Sequence, residues 1–240
     1  MMTLRKVYSR EMRHELGVFP VWQPGDPIEV GDIGTLDEGA FQKQTTMKSL
    51  FPDYRLKIER QPLNRPYRFS SRDCIIGQLQ TSGSLPAEAN AMVEVKFGSE
   101  GGVIFEATDI RRTSIDDLFQ CREFIKTHRK LWPSKGVLVT AVDTANSFRL
   151  LISATRNGSA TLSGRADALS GMKIADASIS ISTNSAAGYQ VTPGAGAIAA
   201  QLSGFGWLGY LAGDFHLLEM ETEPDFVDLM PRDFPEQKPS

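Results

Sequence analysis

Apolar and polar residues alternate with period two along several stretches of this chain. Val93, Val95 and Phe97 alternate with Glu94, Lys96 and Gly98, and Ala160, Leu162, Gly164 and Ala166 with Thr161, Ser163, Arg165 and Asp167. Ala175, Ala177, Ile179 and Ile181 alternate with Asp176, Ser178, Ser180 and Ser182. Successive side chains of a strand point to opposite faces, so the pattern predicts half-buried strands. Strands are also predicted over 75–80, 103–107, 137–142 and 148–154. Gly101 and Gly102 predict a hairpin joining 93–97 to 103–107, and a second pair joins 137–142 to 148–154 through a connection at 143–147. Nearer the start, Pro24-Gly25-Asp26-Pro27 is turn chemistry, and 28–30 and 33–36 are short extended pieces broken by Gly31, Gly34 and Gly39.

Helical spacing occurs twice. Leu4, Val7, Met12 and Leu16 fall roughly on one side of a helix over 4–16 that Gly17 ends, with Arg5, Lys6, Arg10 and Arg13 on the other side. Over 115–128, Leu118, Cys121 or Arg122, and Ile125 share a face with Phe119 beside them, and Ser114 with Asp117 resembles a capping box. Lys126, His128, Arg129 and Lys130 suit the negative end of that helix, and Pro133 stops it. The elements together predict an α+β fold, a mostly antiparallel β-sheet flanked by a few helices in a single domain.

Length agrees, since 240 residues bury one large core. A formal net charge of −3 lacks the cationic surplus a nucleic-acid binder needs, so no nucleic-acid partner is expected. Two cysteines, Cys74 and Cys121, make no disulfide framework and favour a reducing compartment. Residues 1–17 are charged and carry no apolar run, which predicts neither signal peptide nor anchor and makes cytoplasm the expectation. Charge is unevenly placed: residues 177–213 contain no Asp, Glu, Lys or Arg, whereas from Asp214 eight acidic residues face only Arg232 and Lys238. The expected organisation is a folded domain over 1–213 and an acidic tail over 214–240.

Candidate chemistry is sparse. Gly204-Phe-Gly206-Trp-Leu-Gly209 fits G-x-G-x-x-G, but the chain ends too soon for the second strand and acid of a dinucleotide site. His14, His128 and His216 are scattered and no CxxC or HExxH occurs, so no metal, cofactor or enzymatic activity is expected. Cys121 and His128 lie two helical turns apart, which favours a core thiol, and Asp116-Asp117 suits a helix start better than acid–base work. The uncharged 194–213, with Phe205, Trp207 and Tyr210, offers an alternative role as a protein-interaction surface. A pocket gathering His14, His128 or His216 with carboxylates would point instead to a scattered enzymatic site. The alternating strands also meet the requirement of a membrane barrel, an apolar lipid face backed by a polar lumen face, as well as that of a soluble half-buried sheet.

The stretches VEVKFGSEGGVIFEATDIRRTSIDDLFQC, KGVLVTAVDTANSFRLLISATRNGSATL, KIADASISISTNSAAGYQVTP and FGWLGYLAGDFHLLE resemble, in order and texture, the later two-thirds of the bacterial gasdermins. LGVFPVWQPGDPIEVGDIGTLDEGAF is similar in layout to that family's start. The resemblance implies a twisted antiparallel sheet flanked by helices, acting as an intracellular cell-death effector kept dormant by a short C-terminal segment. Release by an activating protease would let copies homo-oligomerise at the inner face of the cell membrane and insert two hairpins each, here about 72–107 and 137–181. Val93, Val95, Phe97, Phe148, Leu150, Ile152, Ile179 and Ile181 would then meet membrane lipid. Residues 219–240 would be the inhibitory element, and cleavage would follow Asp225, Asp228 or Arg232. Bacterial members often carry a lipidated cysteine near the N-terminus, whereas this chain has none before Cys74. Targeting would rest instead on Arg5, Lys6, Arg10 and Arg13.

Overall fold

A computed structural model describes residues 4–37, 40–71, 74–76, 90–98, 102–153, 158–165, 169, 180–183, 188–205 and 226–229. In chain order the elements are α1 (Leu4–Leu16), β1 (Phe19–Pro20), β2 (Asp32–Asp37), β3 (Ala40–Thr46), α2 (Met47–Leu50), β4 (Ile58–Pro62), β5 (Tyr67–Ser70), β6 (Cys74–Ile76), β7 (Asn90–Phe97), β8 (Val103–Ile115), α3 (Leu118–Thr127), β9 (Val137–Ser153), β10 (Ser159–Arg165), β11 (Ser180–Thr183), β12 (Gly188–Phe205) and β13 (Phe226–Leu229). The fold is α+β. One sheet runs β1-β12-β9-β2-β3, with β8 beside β9, β4 and β5 along β8, and β13 on β12; a second runs β11-β10-β7-β6.

Two compact units are assembled from interleaved stretches: 1–11, 63–110 and 145–196 form the first, and 12–62, 111–144 and 197–240 the second. The long strands β8, β9 and β12 contribute residues to both. In the second unit, Val137 and Val139 of β9 pack with Phe19, Val21, Ala200 and Leu202. Leu138, pointing the other way, joins Ile33, Met47, Phe51, Cys121 and Ile125 beneath α2 and α3. A strand buried on both faces reads as a continuous apolar run, which is the texture of VLVTAV at the start of β9.

α1 ends as expected at Gly17, whose φ of +65° suits a residue without Cβ, its N–H bonding to Arg13 O at 3.1 Å. α3 starts later than the sequence predicts. Ile115 and Ser114 close β8, opposite Ile58 and Glu59, and Asp117 is the cap, its carboxylate accepting from Gln120 N at 2.9 Å.

Both expected hairpins are corrected. β7 and β8 lie in different sheets: β7 pairs with β6 and β10, β8 with β4, β5 and β9. Residues 103–107 are buried on both faces and sit centrally, while Val103 and Ser71 exchange bonds through Ser71 N to Val103 O at 2.8 Å and Val103 N to Ser71 Oγ at 2.9 Å. Likewise 137–153 is one strand without a turn. The polar residues that look like a connection are satisfied inside the sheet: Arg112 holds Asp143 in a fork, Nε to Oδ1 at 2.7 Å and a terminal nitrogen to Oδ2 at 2.8 Å. Thr144 Oγ1 donates to Arg111 O at 3.2 Å.

Candidate functional site

The four-stranded sheet of the first unit is where the alternating sequences come together. β7 pairs with β10 in an unbroken antiparallel ladder from Asn90↔Arg165 to Lys96↔Ser159, and β11 adds to β10 with Ile181 opposite Leu162. Directly opposed residues share a face. Val93 therefore shares a face with Leu162, Val95 with Ala160 and Ala91 with Gly164, and the apolar ones among them are all buried. The other face carries Met92 with Ser163, Glu94 with Thr161 and Lys96 with Ser159, all of them exposed or half-buried. The result is an amphipathic strand pair, with the two faces of β7 and β10 differing along the ladder.

Its apolar face is covered by Ile104, Leu151 and Leu169, and Phe97 and Cys74 pack at the same core. A Cβ on Gly102 would lie 2.5 Å from Phe97 Cδ1, so the chain between the two sheets is free of a side chain where it passes that ring.

The residues expected to insert are divided by the structure. Val93, Val95 and Phe97 lie on the apolar face of β7, at 2, 0 and 3% exposure. Phe148, Leu150 and Ile152 do not belong to this sheet; they lie in β9, which is paired on both sides by neighbours in the larger sheet. They alternate with Leu151, so they face away from the amphipathic sheet. Ile181 lies in β11, and Ile179 lies outside the described residues. Ala160 and Leu162 join the face without having been singled out, although their alternation is as regular as that of β7.

The basic residues of α1 are half-buried rather than a fully solvated stripe. Arg10 pairs with Glu11 at 2.9 Å, and the helix buries Val7, Tyr8, Ser9 and Met12, with Tyr8 against Phe105 at a ring separation of 6.0 Å. Burial raises the Tyr8 phenol well above its usual range, which keeps it neutral.

Of the tail, Phe226–Leu229 forms β13, antiparallel to the end of β12 with Leu202↔Leu229, Ser203↔Asp228, Gly204↔Val227 and Phe205↔Phe226. It follows β1, which pairs at Ala199 and Ala200, and it lies against α3. Asp228 is thus part of a ladder, while Asp225 and Arg232 lie outside the described residues. The same ladder places Gly204 in an antiparallel strand pair, which a dinucleotide-binding βαβ unit does not contain. Ala197–Ala200 and Leu202 are buried, so that part of the uncharged stretch offers no open surface; Trp207 and Tyr210 lie outside the described residues.

Reactive groups are quiet. Cys121 is fully buried beneath Tyr54 and its thiol is pushed up to about 11, chiefly by burial, so the thiolate is absent at neutral pH. His128 bonds through Nδ1 to Phe124 O at 2.8 Å and stacks on the Phe124 ring, a structural placement. Among the described residues no group of three His, Cys, Asp or Glu is placed to hold a metal, and no helix is long and apolar enough to cross a membrane.

No known protein-family pattern matches the chain, and no curated protein matches it. Among solved structures it is similar to a bacterial gasdermin from Bradyrhizobium tropiciagri at 13% identity, with 93% of this chain and 90% of that chain covered and a TM-score of 0.33. Overlap of that degree carries neither fold nor function across to this chain.

Proposed function

We propose that the chain is a dormant pore-forming protein that performs no chemistry of its own. The observation that carries this reading is the β7–β10 pair at the centre of the β11-β10-β7-β6 sheet, apolar and buried on one face and, Met92 apart, polar on the other in unbroken register. A membrane-spanning strand needs that division, with its backbone satisfied by neighbours. β7 has eight residues and β10 seven, whereas a tilted spanning strand takes about 9–11. Insertion therefore lengthens both strands at their ends. The membrane face in this reading is that of Val93, Val95, Phe97, Ala160 and Leu162.

Dormancy follows from the acidic tail. β13 completes the edge of β12 beyond β1, so the tail occupies an edge at which another strand would otherwise pair. Cutting between residues 206 and 225 releases it, and activated copies assemble on the inner face of the cell membrane. Asp228 is held in the β12–β13 ladder, and a protease takes its substrate unpaired and extended, so cleavage there requires β13 to leave β12 first.

The test is dye release from anionic liposomes by the full chain, before and after cleavage at a protease site placed within 214–225. Release only after cleavage supports pore formation and tail inhibition together. Silence from folded, cleaved protein overturns the reading.

A further inference from the structure

The larger sheet presents unlike faces in the first unit. On the side of Tyr8, β8 and β9 offer Val103, Phe105, Ala107, Phe148, Leu150 and Ile152, all apolar and buried. The other side carries the residues between them, including Ile104 and Leu151, which pack against the amphipathic sheet. Ser153 N bonds to Gly102 O at 2.9 Å, Thr144 Oγ1 bonds to Arg111 O, and Arg112 pairs with Asp143. As numbers rise along β8 they fall along β9, so the two strands run antiparallel. Counted from the Ser153–Gly102 backbone bond, Arg149 stands opposite Glu106. Ile104 and Leu151 are likewise opposed, two residues or about 7 Å along the strands.

β5 extends the row, because Arg68 stands opposite Glu106 and donates from Nε to Glu106 Oε1 at 2.9 Å, with a second bond to the same oxygen. Glu106 is 0% and Arg149 3% exposed. Among the described residues of β8 and β9, the seat of the amphipathic sheet is the apolar pair Ile104 and Leu151, flanked on one side by the buried Glu106 and Arg149, with the Arg68 side chain 43% exposed at the end of the row, and on the other by Gly102 and Ser153. Buried ions return much of their Coulombic gain as desolvation cost, and they regain hydration when a cover is lifted.

We infer that this ionic row is a release device: it makes the β11-β10-β7-β6 sheet separable from its seat while the opposite, apolar face holds the rest of the unit together. Its consequence for membranes rests on the pore-forming reading; the separation does not. Opening is measured by thiol labelling in a chain lacking Cys74 and Cys121, with a single cysteine at Leu162→Cys under the sheet or, for reference, at Leu138→Cys in the core of the second unit. Both positions are 0% exposed. In the otherwise unaltered seat, the cysteine at 162 labels at least about tenfold faster than that at 138. The triple variant Arg68→Met, Glu106→Met, Arg149→Leu slows labelling at 162 by about tenfold or more, toward the rate at 138, since apolar replacement of the buried Glu106 and Arg149, together with the Arg68 that pairs with Glu106, strengthens packing. Glu106→Gln, which leaves the arginines without their counter-charge, speeds it.

Equal rates at 162 and 138 before the seat is altered overturn the inference, as does a triple variant that labels at the original rate. Should Glu106→Gln fail to fold, the triple variant still decides. Dye release by the cleaved triple variant is expected to slow by a similar factor. If cleaved protein with the native seat releases no dye, the pore reading fails and the labelling rates still judge the seat.

Discussion

Asp143 is 3% exposed in the middle of β9, and its carboxylate is gripped at both oxygens by Arg112 of β8. Asp143→Asn keeps the shape and removes the charge, leaving the guanidinium with an amide in place of its counter-ion. Breaking a fully buried pair costs about 3–5 kcal/mol. The Arg112 side chain retains 20% exposure, so water recovers part of that loss and about 2–3 kcal/mol remains. In a chain of this size each kcal/mol moves the melting temperature by about 2–4 °C, which gives a fall of about 4–12 °C. Thermal and urea unfolding of Asp143→Asn, Arg112→Met and the double variant form the assay. The double variant should lose less than the two singles combined, by about 1–2 kcal/mol, because it leaves no orphaned charge. Single-variant losses that simply add, to within about 0.5 kcal/mol, would refute the idea that the fork holds β8 to β9.

Gly34→Ala should destabilise by about 3 kcal/mol or more, since its Cβ would lie 1.9 Å from Gln42 O at the register shift between β2 and β3; a melting temperature within about 2 °C of the parent would contradict that. The pH dependence has a defined sign at Cys121. Its folded thiol, near 11, is raised above the ordinary 9.0, so its contribution to stability is complete below about pH 9 and is lost as pH rises through 11. Tyr54, held near 12, extends the fall. Cys121→Ala should flatten stability measured from pH 8 to 11, and an unchanged slope would assign it elsewhere. Phe119, 75% exposed on α3, should tolerate Phe119→Ser with less than about 0.5 kcal/mol of change in urea unfolding.

How far the sequence could be read depended on contrast between neighbouring side chains. β10 was plain because large or small apolar groups alternate with hydroxyls, and α1 because its apolar spacing stops at a glycine held at positive φ. Partners were harder: period two identifies a strand and says nothing of what lies beside it, so β7 and β8 looked like a hairpin although they enter different sheets. Asp143 and Thr144 looked like a turn because their satisfaction comes from Arg112 and the Arg111 carbonyl, more than thirty residues away. β4 carries exposed side chains throughout and so leaves no burial pattern. β12, rich in Gly and Ala, gives little size contrast along its length. Within the site, the apolar face at Val93, Val95 and Phe97 was legible. The ionic seat was not, since Arg68 and Glu106 are 38 residues apart and only the strand register aligns them.

The claim that the amphipathic sheet enters lipid is tested most directly along β10 itself. Single cysteines at 160 through 164, in a chain lacking Cys74 and Cys121, carry an environment-sensitive fluorophore, and quenching by nitroxide-bearing lipids is read after the tail is cut in the presence of liposomes. The account predicts strong lipid quenching at 160, 162 and 164 and little at 161 and 163, with none anywhere before cleavage. Uniform quenching, or none after cleavage at any of the five positions, would contradict it.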